Sequence, residues 1–211
     1  MKKISLLSTA AVALVLLTGC ASAPESQTAT VTSGSANEVY PQALSYAQQT
    51  HPGAVLVGYN NTGASFDRVN YVPTNPTVSG EHDKWVYMFV QDAADLNDGE
   101  INETETFAVE LSGGMLNYVG YVETREQELE DYSVTGEDLL AVDTTAVLST
   151  FLDSVEELTG ERPQVEHVHF NNNAGGYEVS LFTSATTGFS GFFYLEDGTA
   201  PNVAPFTINT L

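Results

Sequence analysis

Two histidines separated by a single residue are the clearest candidates for metal chemistry in this chain. His167 and His169 lie on either side of Val168, in a segment whose apolar residues predict a β-strand. Because side chains alternate between the faces of a strand, both imidazoles would share one face and could hold a metal ion. The same pattern is typical of an exposed polar strand face, and neither His51 nor His82 has a spacing that demands a third ligand. Both interpretations stay open, and we expect the polar face.

An acidic segment offers a second possible cation site. Residues 95–105 have the central glycine, the isoleucine two places later and the distal glutamate of a calcium-binding EF-hand loop. Asp95, Asp98 and Glu105 would be ligands. Counting back from the glycine, however, places an alanine and a leucine where two of the oxygen donors are needed. We therefore expect a solvated acidic loop, with loose Ca²⁺ association as the alternative.

The sequence contains no arrangement typical of a hydrolase. A serine elbow, a Ser-x-x-Lys pair, a His-Glu-x-x-His motif and a phosphate-binding loop are all missing. We predict no catalytic residue, no resident metal and no cofactor. An alternative is a small-ligand pocket between a helix and a sheet, although ordinary core packing would explain its aromatic lining equally well. That lining would be Tyr59, Trp85, Tyr87, Phe170 and Tyr177.

The first twenty residues have the three-part layout of a secretory signal. Lys2 and Lys3 precede an apolar run that ends near Leu17, too short for the roughly 20 residues of a membrane-spanning helix. The run leads into Leu-Thr-Gly-Cys, which resembles the lipobox of bacterial lipoproteins. The resemblance implies cleavage before Cys20, attachment of lipid to its thiol and residence in the bacterial cell envelope, outside the cytoplasm. We predict a signal peptide over residues 1–19 and a membrane anchor at Cys20.

Acidic residues dominate the charge of the chain. It has 28 Asp and Glu against 6 Lys and Arg, and removal of Lys2 and Lys3 leaves four basic against 28 acidic residues, a net charge of −24. Such a surface repels phosphate backbones, which excludes nucleic acid as a partner. It also repels anionic lipid headgroups, so we expect a tethered domain to stand off its own bilayer, with salt limiting the repulsion to about 8 Å.

Composition divides the rest of the chain into a tether, two modules and a linker. Residues 20–36 are mostly Ala, Ser, Thr, Gln and Gly, which predicts a lipidated N-terminus followed by a flexible tether. Residues 37–122 predict an amphipathic helix with Asn37 as its N-cap, then an antiparallel meander. Within this module, Ser112-Gly113-Gly114 is predicted as a turn. Residues 123–142 are predicted as a linker, and residues 143–211 repeat the order of helix and then strands. Asp143 or Thr144 is the expected N-cap of this second helix, and Gly160 and Pro163 are expected to end it. The predicted fold class is α+β.

The two modules align at a constant offset over the helix and the first strand. The apolar helix positions, the proline after each helix and the asparagines after each strand recur in the same order, which favours a duplicated unit. The matched pairs are Tyr40 with Phe151, Leu44 with Val155, Ala47 with Leu158, Pro52 with Pro163, Tyr59 with Phe170, and Asn60-Asn61 with Asn171-Asn172.

Both modules resemble the PepSY domain. Trp85-Val86-Tyr87 carries the likeness in the first module, and Phe193-Tyr194-Leu195-Glu196-Asp197-Gly198-Thr199 carries it in the second. The resemblance implies tandem repeats of a helix packed on an antiparallel sheet, and a non-catalytic role that often involves binding or restraining a peptidase. We expect a lipid-anchored protein that binds a protein partner through a sheet edge, a free sheet face or a loop surface. The long loops of the first module, which carry Tyr71, Val72 and Pro73, are the favoured contact surface. A ligand-binding lipoprotein is the alternative, and a hydrolase is a further one.

Overall fold

The computed structural model of the protein describes residues 24–61, 83–92, 106–120, 140, 143–163, 167–173, 176–184, 187–194 and 207–210. These residues form two helices, α1 (Ala36–Ala47) and α2 (Thr144–Thr159). They also form nine strands: β1 (Gln27–Thr28), β2 (Val55–Asn60), β3 (Trp85–Val90), β4 (Thr106–Ser112), β5 (Met115–Val119), β6 (His167–Asn173), β7 (Gly176–Ser184), β8 (Thr187–Tyr194) and β9 (Thr207–Thr210). The α+β class is confirmed.

All nine strands belong to one antiparallel sheet, in the order β1-β5-β4-β3-β2-β6-β7-β8-β9. The first half of the molecule (β1 to β5 with α1) meets the second half (α2 with β6 to β9) where β2 pairs with β6. Each half then adds its next three strands outward in chain order. Asn60 and Asn171, which the sequence alignment matches, lie directly opposite each other at this junction. The two predicted modules therefore share one continuous sheet.

Helix α1 begins with a capping box at Ser35. The Glu38 N–H donates to the Ser35 hydroxyl at 3.4 Å, and the Ser35 N–H donates to the Glu38 carboxylate at 2.9 Å. The prediction of Asn37 as the N-cap is wrong, because its side-chain amide donates to the carbonyl of Leu140 instead. The buried residues of α1 are Ala36, Val39, Ala43, Tyr46 and Ala47, with Tyr40 and Leu44 partly buried beside them.

Helix α2 starts and stops where the sequence predicts. Asp143 accepts the N–H of Thr145 at 2.8 Å, and Gly160 ends the helix in the left-handed region at φ 79°. Its apolar stripe is shorter than predicted, because Leu158 is 60 % exposed. The N-termini of the two helices touch, since the Ala36 N–H donates to the Thr144 hydroxyl at 3.2 Å. The buried side of α2 consists of Thr144, Val147, Leu148, Phe151, Leu152 and Val155.

Both helices pack on the same face of the sheet, and this interface is the main core. It includes inward residues of β2 to β7, among them Leu56, Phe89, Phe107 and Val179. A second buried cluster occupies the opposite face of β2, β3 and β4, and the expectation of a free sheet face is wrong for these strands. That cluster consists of Val57, Val86, Met88, Val90 and Ala108, each at most 3 % exposed.

The predicted flexible tether is wrong for residues 24–36. This segment contains β1, the buried Ala29 and the N-cap of α1. Its polar composition suggested a linker, but its backbone groups are paired with β5 and with side chains of α1. We call residues 24–34 the strap. The signal peptide, Cys20, the rest of the predicted tether and the loop with Tyr71, Val72 and Pro73 lie outside the described residues.

Candidate functional site

Four of the five aromatic residues expected around a ligand pocket lie in the main core. Tyr59, Trp85, Tyr87 and Phe170 are each at most 1 % exposed. The ring centroid of Trp85 is 5.9 Å from that of Tyr59 and 6.1 Å from that of Phe170. Rings at these separations pack against one another, as the core interpretation predicts. The side chain of Tyr177 lies outside the described residues.

The polar atoms of two of these rings fix the start of α1. The Trp85 Nε1–H donates to the carbonyl of Gly34 at 2.9 Å, and the Tyr87 hydroxyl donates to the carbonyl of Ala36 at 2.6 Å. Burial raises the pKa of Tyr87 well above 10.0, and the nearby Tyr40 raises it further. The Tyr87 phenol therefore stays protonated and keeps its role as a hydrogen-bond donor.

Of the metal-ligand candidates, the structure places only the backbone of His167 and His169. His167 and His169 occupy β6 at positions that alternate with Val168 and Phe170, which belong to the main core. Within the described ranges, no group of three or more His, Cys, Asp or Glu could hold a metal ion. The side chains of the two histidines lie outside those ranges, as do the acidic-loop candidates Asp95, Asp98 and Glu105.

Among the strands that the structure describes, β9 lies at one end of the sheet order and is a regular strand. Its partner within the described structure is β8, with Ile208 opposite Gly191 and Asn209 opposite Ser190. Ile208 packs against the main core, whereas Asn209 and Thr210 are exposed. The strand Thr207–Thr210 has neither a charged residue nor a proline. Natural edge strands commonly carry such residues to prevent pairing, so β9 is a suitable template for another strand.

The other edge is covered by the strap, which the sequence did not reveal. In β1, Gln27 and Thr28 pair with Leu116 and Met115 of β5. The pairing continues as the Ala29 N–H donates to the carbonyl of Gly114 at 2.9 Å. Because β1 has only two residues, the strap needs further support to stay in place.

That support comes from α1. The Gln42 Oε1 accepts the N–H groups of Thr30 and Val31 at 2.9 and 3.2 Å, while Gln42 Nε2 donates to the Val31 carbonyl at 2.6 Å. At the beginning of the strap, the Tyr46 hydroxyl is 3.2 Å from the carbonyl oxygen of Pro24 and 3.0 Å from that of Glu25. The strap thus runs antiparallel to α1, and its first residue lies near the C-terminal end of that helix.

A histidine lies just beyond this end of α1. The His51 ring centroid is 4.6 Å from that of Phe107, and His51 Nε2 is 3.1 Å from the Tyr118 hydroxyl. Desolvation lowers the pKa of His51 below its ordinary 6.5, because the surrounding rings disfavour the imidazolium.

No protein-family model matches the chain, and no curated protein or solved structure is significantly similar to it. None of the described helices is both long enough and apolar enough to cross a membrane.

Proposed function

We propose that this protein is a lipid-anchored, non-catalytic component of the bacterial cell envelope that binds a polypeptide partner. The anchor is Cys20, and the support for it is the basic N-terminus, the short apolar run and the Leu-Thr-Gly-Cys sequence. The high negative charge disfavours nucleic acid as a partner. The absence of hydrolase motifs from the sequence favours binding over catalysis.

Replacement of the cysteine tests the anchor. Full-length protein with Cys20→Ala should leave the membrane fraction, whereas the matched variant Ser22→Ala should stay there with the parent. Fractionation followed by immunoblotting measures the distribution, and mass spectrometry of the membrane-bound parent should find acylation at the N-terminal cysteine. Equal membrane retention of Cys20→Ala and the parent would contradict the proposal.

The observation that best supports a polypeptide partner is the edge strand β9. An extended segment of the partner would add a tenth strand beside it, with main-chain hydrogen bonds supplying affinity. Within the described structure, the exposed Asn209 and Thr210 leave this edge accessible and uncharged. A peptidase propeptide or an extended loop of a peptidase would satisfy this geometry, in line with the PepSY resemblance.

A lysine on the edge strand tests this binding surface. Lysine is a residue that natural proteins use to block edge pairing, so Asn209→Lys should abolish capture of the partner from an envelope extract. Ser149→Lys adds the same charge to the exposed surface of α2 and should leave capture intact. Proteins retained equally by both variants would show that β9 is not the binding surface.

We also propose that the two halves are repeats of one PepSY-like unit. Two observations support this proposal. Each half has one helix followed by four strands, and the register of the β2–β6 pairing aligns matched residues. Asn60 faces Asn171, while Tyr59 faces Asn172. A junction in which matched residues face each other is the geometry of a two-fold axis. The repeat would therefore be a fused form of a symmetric pair, and comparing the stability of Asn61→Ala with that of Asn172→Ala tests it.

A further inference from the structure

The strap covers one edge of the sheet in the manner of an added strand. From Ser26 to Gly34 it contains no charged residue. Its strand β1 pairs antiparallel with β5, and the Ala29 N–H extends the pairing by donating to the Gly114 carbonyl at 2.9 Å. An extended segment of a partner protein takes the same position when it lengthens a sheet. The edge of β5 therefore accepts an extended, uncharged segment, because the strap itself is seated there.

The contacts that hold the strap are mostly polar and lie near the surface. Between residues 24 and 33, all of which the structure describes, Ala29 is the only buried side chain and Val31 is partly buried. The hydrogen bonds from Gln42 and Tyr46 of α1 are exposed or partly buried. Segments with few buried apolar contacts and solvent-exposed hydrogen bonds open at a lower free energy than the core. The strap is therefore the part of this sheet edge that opens most easily.

Firm attachment begins at the last residue of the strap. The carbonyl of Gly34 accepts the Trp85 Nε1–H at 2.9 Å, and the Ala36 N–H donates to the Thr144 hydroxyl at 3.2 Å. Both hydrogen bonds are buried. Opening of residues 24–33 would therefore leave the start of α1 and the main core in place. It would free the edge of β5 to pair with another strand.

We propose that the strap is a displaceable cover and that the edge of β5 beneath it is a second strand-binding site. The partner is an extended, uncharged polypeptide segment with a small side chain where Ala29 lies, because that position is buried. Gln42 bonds the backbone groups of Thr30 and Val31, so it can hold another segment independently of most side chains. The site lies at the opposite end of the sheet order from β9 and does not depend on binding there.

The strap would act as an autoinhibitory segment at this site. A partner competes with a segment that is covalently part of the same chain. Its apparent affinity is therefore reduced by the fraction of molecules in which the edge is open. Weakening the strap without changing β5 or α1 should raise that fraction and strengthen binding.

A charge at the buried position of the strap tests the proposal in the full-length chain. Ala29→Asp should displace the strap, since a carboxylate is costly to bury, and it leaves Gln42 and β5 unchanged. The probe is a fluorescent peptide with the sequence of residues 24–33, and fluorescence anisotropy measures its binding. We expect Ala29→Asp to bind it at least about tenfold more tightly than the parent does. Thr32→Asp places the same charge at an exposed position of the strap and should bind the peptide like the parent.

Three outcomes of these measurements would overturn the proposal. Equal affinity of the peptide for Ala29→Asp and for the parent would show that the strap does not cover the site. Equal binding of a peptide that itself carries Ala29→Asp would show that binding is not at this edge. A dimer of the parent that Ala29→Asp dissociates would replace the separate partner with the strap of a second copy.

Hydrogen exchange in the unmodified chain supplies a measurement that does not depend on the folding of a variant. The amides of Thr30 and Val31 are protected only while the strap is docked on Gln42. We expect them to exchange at least about 100-fold faster than the amides of β3 in the core. Equal protection of the strap and β3 would show that the strap opens only when the whole fold does, and would overturn the proposal.

Discussion

Helices α1 and α2 cover the same sheet face, but they present different chemistry to the solvent. The exposed residues of α1 are Glu38, Pro41 and Ser45, so the helix presents a single carboxylate, and the exposed amide Gln48 follows as its C-cap. Helix α2 exposes Asp153, Glu156 and Glu157, and the guanidinium of Arg162, just beyond its end, lies 3.1 Å from the Glu156 carboxylate and also pairs with Asp153. Toward the sheet, both helices are apolar. Packing on the sheet thus requires apolar residues on the inward side of each helix, whereas the residues on the solvent side differ between the two halves.

The inward sides also differ in how they fill space. Position 151 of α2 holds a fully buried Phe, whereas its sequence counterpart Tyr40 is only partly buried. The counterpart of the exposed Leu158 is Ala47, which is fully buried. Helix α1 makes up the difference with Tyr46, whose ring is 1 % exposed. Two helices can therefore keep the same place in a fold while different residues supply the packing.

The largest expected effect comes from Phe151→Ala. The cavity left by a fully buried ring should lower the free energy of unfolding by about 3–5 kcal/mol. Tyr40→Ala should cost clearly less, because its ring is partly exposed in the parent. Urea denaturation followed by circular dichroism measures both, with Leu158→Ala as a control expected to change stability by less than about 0.5 kcal/mol. Equal losses of stability in Tyr40→Ala and Phe151→Ala would show that the two helices do not differ in how much these residues contribute to packing.

The junction of the two halves gives the next largest effect. Asn61 accepts the Phe170 N–H at 2.8 Å and donates to the Val168 carbonyl at 3.0 Å, and all these groups are buried. Asn61→Ala leaves both backbone groups unpaired, which should cost about 2–3 kcal/mol. The repeat hypothesis predicts a similar loss for Asn172→Ala, whereas the exposed Asn209→Ala should have little effect. Chemical denaturation compares the three variants. A loss at position 61 alone would argue against two equivalent halves.

The ends of the two helices predict a smaller contrast. Gly160 ends α2 at φ 79°, whereas Gln48 ends α1 in the right-handed region at φ −69°. Gly160→Ala should lower stability by about 1 kcal/mol through backbone strain. No atom lies within 4 Å of a Cβ placed there, so a steric clash does not contribute. Gln48→Ala should be nearly neutral, and thermal melts of both variants test the difference.

The smallest effect is a dependence on pH that originates in the first half. The folded pKa of His51 lies below its ordinary 6.5, so between these values the unfolded chain binds a proton that the folded protein does not. Stability should therefore fall as pH decreases through about 6.5, and the loss should level off below the folded pKa.

Denaturation midpoints from pH 7.5 down to pH 5.5 measure this dependence, since the range of about 5.5 upward avoids most carboxylate titration. His51→Gln should flatten the profile. Tyr118→Phe retains the imidazole and its buried setting, so it should retain a slope. An unchanged slope in His51→Gln would assign the pH dependence to other groups.

Sequence reasoning predicted the elements whose signals are local. The cap at Asp143, the stop at Gly160 and the turn at Gly113 and Gly114, whose φ values are 57° and 75°, follow from residue types and spacing. The strap was missed because its order depends on contacts with Gln42 and β5 that no short pattern encodes. Pairing between β2 and β6 is also nonlocal, and the burial of both faces of β2 to β4 depends on the assembled fold.

The central position of β2 has a consequence for folding during synthesis. The bond from Asn61 to Val168 joins residues 107 positions apart, so a chain that is synthesised from its N-terminus presents β2 long before β6. Until the second half arrives, β2 is the last strand of an incomplete sheet with an open apolar edge. Such an edge attracts other strands, including β2 of another nascent copy. The strand order thus sets a period of aggregation risk that ends only when β6, which begins at His167, has been synthesised and can pair with β2.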